Sequence, residues 1–377
     1  FNNLFGRAYN LIYNDWFRDE NLQNSVTVDK DDGPDDIADY VLLKRGKRHD
    51  YFTSALPWPQ KGDAVTLPLG GDAPIYYDGT GADHILLENN AGSTYGIATS
   101  GSVAKIDTGT IPTPKSKMYA DMSGTTSATI NQLREAFQIQ GLLERDARAG
   151  TRYTEIVQGH FGVTSPDARL QRPEYLGGGK DRINVNPIPQ TSSTDATTPQ
   201  GNLSAYATTG FSGHRFTKSF TEHSVIIGLA CVYADLTYQQ GLARHWSRQT
   251  RYDFYWPALA HLGEQAILNQ EIYAQGTSAD TDTFGYQERY AEYRYKPSQI
   301  TGKFRSTVST GSLDNWHLAQ DFSSLPSLNA SFIEENPPVD RVIAVSSEPQ
   351  LLLDVYFKLK CARPMPTYSV PALLSHF

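Results

Sequence analysis

The chain has 377 residues, of which 33 are Lys or Arg and 41 are Asp or Glu, so its formal net charge at pH 7 is −8. This balance argues against a uniformly basic nucleic-acid coat, and a hydrophobic content of 39% is typical of a folded globular protein. The length allows two or three domains, or one large β domain with insertions, and the 22 tyrosines and 16 phenylalanines favour β structure. The chain begins at Phe1 rather than Met, and we expect further residues upstream.

A strongly acidic run lies near the start of the chain and is followed closely by a basic one. Residues 29–39 hold six aspartates and one lysine, and residues 44–48 read Lys-Arg-Gly-Lys-Arg. Neighbouring patches of opposite charge suit contacts between subunits, while a solvated loop is the plainer interpretation. The sequence leaves both interpretations open.

The acidic run also raises the question of a calcium site. An EF-hand loop that starts at Asp29 needs glycine at its sixth position and glutamate at its twelfth, where this chain has Pro34 and Tyr40. The motif therefore fails, although an irregular loop can also bind calcium through carboxylates and carbonyls. We favour a solvated loop and keep one calcium candidate, which consists of Asp29, Asp31 and Asp32.

Residues 63–127 form the most loop-like part of the sequence. They are rich in Gly, Ser, Thr, Ala and Asp and contain turn signals such as Leu69-Gly70-Gly71-Asp72. We expect a surface insertion in this segment, carried by one domain that consists of residues 1–62 and 128–377.

One helix is predicted directly after this insertion. Thr129 and Gln132 form a capping-box pattern, and apolar residues follow them at helical spacing. We expect the helix to cover about residues 129–148 and to stop at Gly150.

Several strands are predicted from alternating or continuous apolar runs. Apolar and polar residues alternate over residues 351–361, which predicts a half-buried strand. Residues 224–234 are apolar at both odd and even positions, which predicts a strand covered on both faces. Their wide and uneven intervals suggest a sandwich with large insertions. Shorter strands are predicted at residues 153–157, 289–295 and 341–345.

The sequence carries no recognisable catalytic or zinc motif. Cys231 and Cys361 lie in separate apolar runs, and we expect buried thiols without a disulfide. No Cys/His cluster with zinc-ligand spacing is present, no G-x-S-x-G elbow, and the run Gly177-Gly178-Gly179-Lys180 lacks the Ser or Thr of a P-loop. We therefore expect neither an enzyme nor a cofactor.

An arginine and aromatic cluster is the main candidate for ligand binding. It combines three arginines with four aromatic residues in one short segment. They are Arg244, Arg248 and Arg251, with Trp246, Tyr252, Tyr255 and Trp256. Guanidinium groups and aromatic faces are the groups that bind the phosphates and bases of single-stranded nucleic acid. The same residue types also dominate subunit interfaces, and packing at an interface or in the core is the favoured alternative.

Five runs of the sequence resemble the major capsid protein of the gokushovirus group of Microviridae, which are small single-stranded DNA bacteriophages. They span nearly the whole chain, so the resemblance is specific. The runs are RAYNLIYNDWFRDENL (7–22), KRGKRHDYFTSALPWPQKG (44–62), LLERDAR (142–148), HFGVTSPDARLQRPEYLGG (160–178) and ARPMPTYSVP (362–371).

The resemblance implies an all-β fold, a single eight-stranded antiparallel jelly roll with long loop insertions and a few helices. It also implies sixty copies in an icosahedral shell of pentamers around circular single-stranded DNA, assembled in the cytoplasm of a bacterial host. The implied partners are an internal scaffolding protein, a DNA pilot protein, a small basic DNA-packaging protein and a host surface receptor. Residues 63–127 correspond to the variable insertion that forms a protrusion at the threefold axes in this family.

Two departures and one alternative accompany the resemblance. Family members carry an N-terminal portion that this sequence lacks, so part of the jelly roll is unassigned, and the receptor-binding residues do not carry over.

An acidic protein can still place arginines on an inner surface, which makes the Arg244 cluster and the run Lys44, Arg45, Lys47 and Arg48 competing candidates to face DNA. The alternative function is a carbohydrate-binding or carbohydrate-cleaving jelly roll, supported only by aromatic richness and scattered carboxylates.

Overall fold

The structure is a computed structural model. It describes residues 2–66, 129–166, 171–197, 199–345 and 347–364, together with the backbone of five short strands between residues 75 and 120. The chain divides into two compact units. The first consists of Phe1–Cys231, Gln240–Pro297 and Phe322–Glu335, and the second of Val232–Gln239, Ser298–Asp321 and Asn336–Phe377.

The described α-helices all belong to the first unit. Near the start of the chain, the first helix continues into a π-helical turn at Tyr13–Phe17. No helix of the described part is long and apolar enough to cross a membrane. The helices are α1 (Leu4–Ile12), α2 (Ile130–Ala149), α3 (Tyr153–Phe161), α4 (Asn269–Ile272), α5 (Ala291–Arg294) and α6 (Ala330–Ile333).

The described strands are short and form separate small sheets. Three antiparallel pairs join β1 to β5, β6 to β7 and β9 to β10, while β2, β3 and β4 form an antiparallel meander and β8 pairs with β11 in parallel. The strands are β1 (Ile75–Tyr77), β2 (Leu86–Glu88), β3 (Thr94–Ser100), β4 (Val103–Asp107), β5 (Met118–Ala120), β6 (Asn184–Pro189), β7 (Leu203–Thr208), β8 (Thr237–Tyr238), β9 (Glu264–Leu268), β10 (Thr283–Glu288) and β11 (Ser298–Gln299).

No closed eight-stranded sheet is formed by the described residues, so the expected jelly roll is not seen directly. The core of the first unit lies instead against β9 and β10. Ile267 on β9 is fully buried, and the ring of Phe284 on β10 lies 6.2 Å from Phe52 and 5.3 Å from Phe332. An isolated bridge between Leu56 and Tyr286 fixes the 51–56 segment to β10. These edge-to-face aromatic contacts bring together residues from distant parts of the sequence.

The predicted helix after the insertion is confirmed. Thr129 accepts a hydrogen bond from the Gln132 backbone N–H, and the Gln132 side chain accepts one from the Thr129 N–H, so both halves of the capping box are present. The helix ends at Ala149, and Gly150 follows with φ of 102°, a conformation that favours glycine.

The predicted strand at residues 153–157 is wrong, because this segment is the beginning of α3. The Glu155 carboxylate accepts a hydrogen bond from the Arg152 N–H at 3.2 Å, which satisfies a free donor at the helix start. Gly162 ends the helix in the left-handed region, at φ of 68°. Local capping thus determines the structure here, and the short apolar alternation does not.

The other strand predictions are also wrong for the described residues. Residues 289–295 contain the helical turn α5. Residues 341–345 begin at the last residue of a 3-10 turn, Val339–Arg341, and contain no strand. Residues 224–234 and 351–361 have no regular secondary structure and are mostly exposed. Periodicity shows which side chains a strand would bury, but a strand also needs a neighbour to receive its backbone hydrogen bonds.

The expectation for the cysteines is half right. Cys231 and Cys361, both in the described part of the chain, form no disulfide, as expected. Both residues are exposed rather than buried, so the prediction of core thiols is wrong. The reason is that the two apolar runs that contain them lie at the surface and form no strand.

The second unit is held by side-chain hydrogen bonds around β8 and β11. Gln239 donates to the Ser306 hydroxyl at 3.1 Å and to the Gln320 carbonyl at 3.0 Å. Arg341 donates to the carbonyls of His317 and Ala319. Such buried amide and guanidinium contacts satisfy the backbone groups that short strands leave unpaired.

Candidate nucleic-acid interface

Residues 244–256 form two consecutive 3-10 turns, Arg244–Ser247 and Arg251–Asp253. The Asp253 carboxylate caps the second turn by accepting hydrogen bonds from the N–H groups of Gln249, at 3.0 Å, and Thr250, at 2.7 Å. These hydrogen bonds lower the pKa of Asp253. The turn is thereby held in one conformation, which fixes the direction of the side chains on either side of it.

Arg244 is directed into the first unit rather than toward solvent. Its guanidinium donates to the Ala266 carbonyl at 2.7 Å and to the Glu271 carboxylate at 3.0 Å. Glu271 is only 4% exposed and accepts a further hydrogen bond from the Tyr51 hydroxyl at 2.9 Å. Burial raises the pKa of Glu271 and the positive charge of Arg244 opposes this rise, so the arginine neutralises a buried carboxylate.

Arg248 is also enclosed, with a side chain that is 11% exposed. Its guanidinium lies 4.3 Å from the Tyr293 ring centre and 5.3 Å from that of Phe254, and it donates to the Glu292 carboxylate at 3.4 Å. Cation–π contacts on two sides and an ion pair hold the charge in place. Arg248 therefore joins the 3-10 turns to α5.

Arg251 and Trp246 differ from the first two arginines because they lie at the surface. Trp246 is 71% exposed and lies beside His245, with ring centres 4.8 Å apart. The Arg251 guanidinium lies 4.8 Å from the Tyr252 ring centre, and the Arg251 carbonyl accepts a hydrogen bond from the Trp256 indole at 2.8 Å. These contacts orient the aromatic rings while much of their surface remains accessible to a ligand.

We call this exposed region the aromatic surface. It combines one surface arginine, Arg251, with several exposed rings that can present π-faces to a ligand. Its members are Trp246, Arg251, Tyr252, Phe254, Tyr255 and Trp256.

The run at residues 44–48 is fixed to the first unit by its backbone. The N–H of Gly46 donates to the Phe17 carbonyl at 2.8 Å, and the N–H of Lys47 donates to the Ile333 carbonyl at 2.7 Å. The Arg45 carbonyl accepts a hydrogen bond from the Glu335 N–H at 2.8 Å. The run, which we call the basic strap, therefore ties the π-helical turn to α6.

Lys47, at the centre of the basic strap, is a buried residue that is only 7% exposed. Its ammonium group donates to the Phe332 carbonyl at 2.6 Å and lies 4.9 Å from the ring centre of the same residue. Burial lowers its pKa, against the opposing negative charges of Glu335 and Asp50. Lys44 and Arg48 are exposed and Arg45 is half-buried, so the four cations of the strap have different environments.

The acidic loop before the strap packs around Arg7 and Tyr40. Arg7 makes two hydrogen bonds to the Asp35 carboxylate, and the Tyr40 hydroxyl lies 2.6 Å from Asp35 and 2.7 Å from Asp29. Arg7 also donates to the Asp31 carbonyl, and the Arg7 and Tyr40 contacts lower the pKa of Asp35. Within the part of the chain that the structure describes, no group of three or more potential metal ligands is arranged to hold a metal ion.

The structure brings the arginine cluster together with two carboxylates that sequence reasoning missed. Glu271 and Glu292 lie 27 and 44 residues from the arginines that they bind. Nothing in the local spacing of either glutamate indicates this role. A charged residue inside an otherwise buried segment, such as Glu271 between Leu268 and Ile272, is the only available signal that a buried partner exists.

Comparison with known proteins extends over nearly the whole chain. Residues 1–373 match the model of the family described as capsid protein (F protein). The chain is 52% identical over 388 residues to capsid protein VP1 of Bdellovibrio phage phiMH2K, covering 98% of this chain and 73% of that protein. It is 46% identical to capsid protein VP1 of Chlamydia phage 1 and 40% identical to that of Spiroplasma virus 4, covering 97% of this chain in both cases and 74% and 72% of the relatives.

Proposed function

We infer the function from one premise, that this chain belongs to the F-protein family of phage capsid proteins. We propose that sixty copies of it form an icosahedral shell of pentamers around circular single-stranded DNA. The family membership confirms the resemblance to gokushovirus capsid proteins. It makes the chain a major capsid protein, a structural component of the virion and not an enzyme. The carbohydrate-binding or carbohydrate-cleaving alternative receives no support from these relatives.

The family implies a jelly roll, and we propose that residues 1–62 and 128–377 contribute to a single eight-stranded one. The described strands are too few and too short to form it alone. Support comes from the family match, which extends over residues 1–373 and so includes both parts of the proposed domain.

The aromatic surface is the region that we propose to contact the packaged DNA. The observation that carries this proposal is the combination of Trp246, 71% exposed, with the exposed Arg251 on neighbouring 3-10 turns, in a segment that Arg244 and Arg248 attach to the first unit. Stacking of a base on an exposed aromatic ring contributes about 1–3 kcal/mol, and an arginine adds attraction to phosphate. Of the four cluster residues predicted to face DNA, the geometry therefore favours Trp246 and Arg251.

One experiment tests assembly and DNA contact together. The protein is expressed in bacteria with its genome, and shells are purified, imaged by electron microscopy and analysed for DNA per shell. We expect uniform closed shells from the wild type and closed shells with at least threefold less DNA from Trp246→Ala combined with Arg251→Ala. Arg48→Ala, in the basic strap, is the matched control and should package normally.

The results separate the two parts of the proposal. A wild-type protein that stays monomeric, or that binds or cleaves glycans instead, contradicts the capsid function. If the double variant makes no shells at all, the aromatic surface belongs to a subunit interface. Normal DNA content in the double variant and reduced content in Arg48→Ala assigns DNA contact to the basic strap.

We further propose that residues 63–127 form the protrusion that meets a host surface receptor. Most of this segment lies outside the described residues, but β1 pairs with β5 close to its two ends, and β2, β3 and β4 pair with one another between them. Among the described strands, none of these five pairs with a strand from the rest of the chain. This self-contained pairing supports an insertion that leaves the domain and returns to it at neighbouring points.

The remaining partners are proposed from family membership alone. They are an internal scaffolding protein during assembly, a DNA pilot protein and a small basic DNA-packaging protein.

A further inference from the structure

Helix α2 has an apolar face whose side chains are exposed in the described structure. Ile130, Leu133, Phe137 and Gly141 are spaced by three and four residues and therefore lie along one side of the helix. Phe137 is 67% exposed and Ile130 is 69% exposed. A large aromatic side chain in this position loses the stabilisation that burial gives it, unless another surface covers it.

The two halves of α2 differ in how they are held. The second half is anchored, because Ala147 is buried and Arg148 donates to the Gln287 side chain at 2.9 Å and also binds the Glu264 carboxylate. In the first half, residues 130–135 and 137–139 are all exposed. The second half therefore attaches the helix to the first unit, while the apolar face of the first half remains accessible.

Gly141 adds a second, independent feature to this face. A Cβ atom built on Gly141 meets no heavy atom within 4 Å, so packing within the described chain does not require glycine there. Glycine in the interior of a helix destabilises it relative to almost every other residue. A glycine beside an exposed apolar stripe allows the backbone of a partner to approach closely, and such an approach explains why glycine occupies this position.

The charge of the face indicates the chemistry of the partner. Residues 130–139 contain one arginine, Arg134, and one glutamate, Glu135, so the exposed half carries no net charge. A nucleic acid requires a positive surface, and helices that lie on membranes carry many Lys and Arg residues on their polar face. A neutral, partly apolar face instead fits a protein surface that is equally mixed, and a capsid protein meets many copies of itself.

We propose that the face formed by Ile130, Leu133, Phe137 and Gly141 packs against a second copy of this chain in the assembled shell. The proposal rests on the assembly function proposed above and names one surface that carries it. A single helix face is smaller than the roughly 800 Å² per partner of a stable dimer, so this contact is weak alone and acts together with others in a closed shell.

The test compares the shell yield of three single variants of the protein expressed in bacteria together with the phage genome, which supplies the other assembly proteins, and yield is measured by sedimentation and electron microscopy. We expect Phe137→Ser to reduce shell yield at least tenfold while the circular dichroism and thermal midpoint of the soluble subunit remain those of the wild type. Gln138→Ser is the matched control, since Gln138 is exposed on the neighbouring side of the helix, and its yield should be unchanged.

Gly141→Leu distinguishes loss of the subunit contact from a folding defect. Leucine favours helix more than glycine does, so this variant should unfold at the same or a higher temperature and still yield at least tenfold fewer shells. Yields within twofold of the wild type for both Phe137→Ser and Gly141→Leu overturn the contact. Normal shells that no longer attach to host cells assign the face to a receptor and also overturn it. Absence of shells from the wild type contradicts the assembly function itself, and the contact with it.

Discussion

The basic strap at residues 44–48 and the segment at residues 244–256 look alike in sequence but differ in structure. Both are rich in cations, and both are candidates to face DNA. In the strap, the backbone is hydrogen-bonded to the π-helical turn and to α6, and Lys47 is buried. In the second segment, Arg244 and Arg248 bind acidic partners from within, while Trp246 and Arg251 remain at the surface.

The difference shows that a local count of charges does not identify a binding surface. A cation that neutralises a buried carboxylate, as Arg244 does for Glu271, is not available to a phosphate. What distinguishes the second segment is the combination of such internal anchors with exposed aromatic rings on the same short turns. The expected effects of substitution below follow this distinction between anchoring and exposed residues.

Removing the anchor at Arg244 should have the largest effect on stability. In Arg244→Ala the Glu271 carboxylate stays buried without its cation, and we expect the free energy of unfolding to fall by about 3 kcal/mol. Arg251→Ala is the control from the same segment, and its loss should stay below about 0.5 kcal/mol because the side chain is at the surface. Urea unfolding of the soluble subunits measures both. Equal losses would contradict the distinction.

Truncation of Lys47 should cause the next largest decrease in the free energy of unfolding. Lys47→Ala removes a hydrogen bond to the Phe332 carbonyl and leaves a cavity beside its ring, and we expect a loss of about 2–3 kcal/mol in urea unfolding. Arg48→Ala, one residue further along the strap and exposed, should lose less than about 0.5 kcal/mol. A tolerated Lys47→Ala would show that the buried ammonium group does not stabilise the first unit.

The acidic loop beside the strap should make stability depend on acid pH. Because the hydrogen bonds from Arg7 and Tyr40 lower the pKa of Asp35, its contribution is complete above the ordinary Asp value near 3.8 and is lost as pH falls below it. We expect Asp35→Asn to lower the thermal midpoint at pH 7 and to reduce the further decrease between pH 5 and about pH 2 that the wild type shows. An identical decrease in both proteins would contradict the role of this carboxylate.

The smallest changes concern binding of single-stranded DNA by the unassembled subunit. Trp246→Ala should weaken binding of an oligothymidine by about 1–3 kcal/mol with no change in salt dependence, because it removes stacking. Arg251→Ala should reduce the slope of log K against log salt by about 0.7, the value for one phosphate contact on a single strand. Fluorescence titrations at several salt concentrations measure both. A reduced slope for Arg48→Ala instead would transfer the phosphate contact to the strap.

The sequence predicted those features that depend on neighbouring residues. The capping box at Thr129 and the stop at Gly150 are local signals, and α2 is found where they place it. The strands expected at residues 224–234 and 351–361 depend on partners that periodicity cannot supply, and these segments are irregular in the described structure. At residues 153–157, the Glu155 cap and Gly162 outweighed a short alternation and made a helix.

The candidate site was predictable in composition but not in geometry. The arginines and aromatic residues between residues 244 and 256 could be identified from the sequence, and so could their suitability for nucleic acid. Their division into anchors and exposed residues could not, because Glu271 and Glu292 come from distant segments and only folding brings them to the arginines. The burial of Lys47 similarly depends on α6, nearly 300 residues away in sequence.

Ultraviolet cross-linking of packaged DNA in purified shells, with the attached peptides identified by mass spectrometry, tests the central claim most directly. We expect cross-links in the peptides that contain Trp246 and Tyr252, and their loss in Trp246→Ala shells that still contain DNA. Cross-links confined to peptides from residues 44–48, or to peptides outside both segments, would contradict the assignment of the aromatic surface to the DNA side of the capsid.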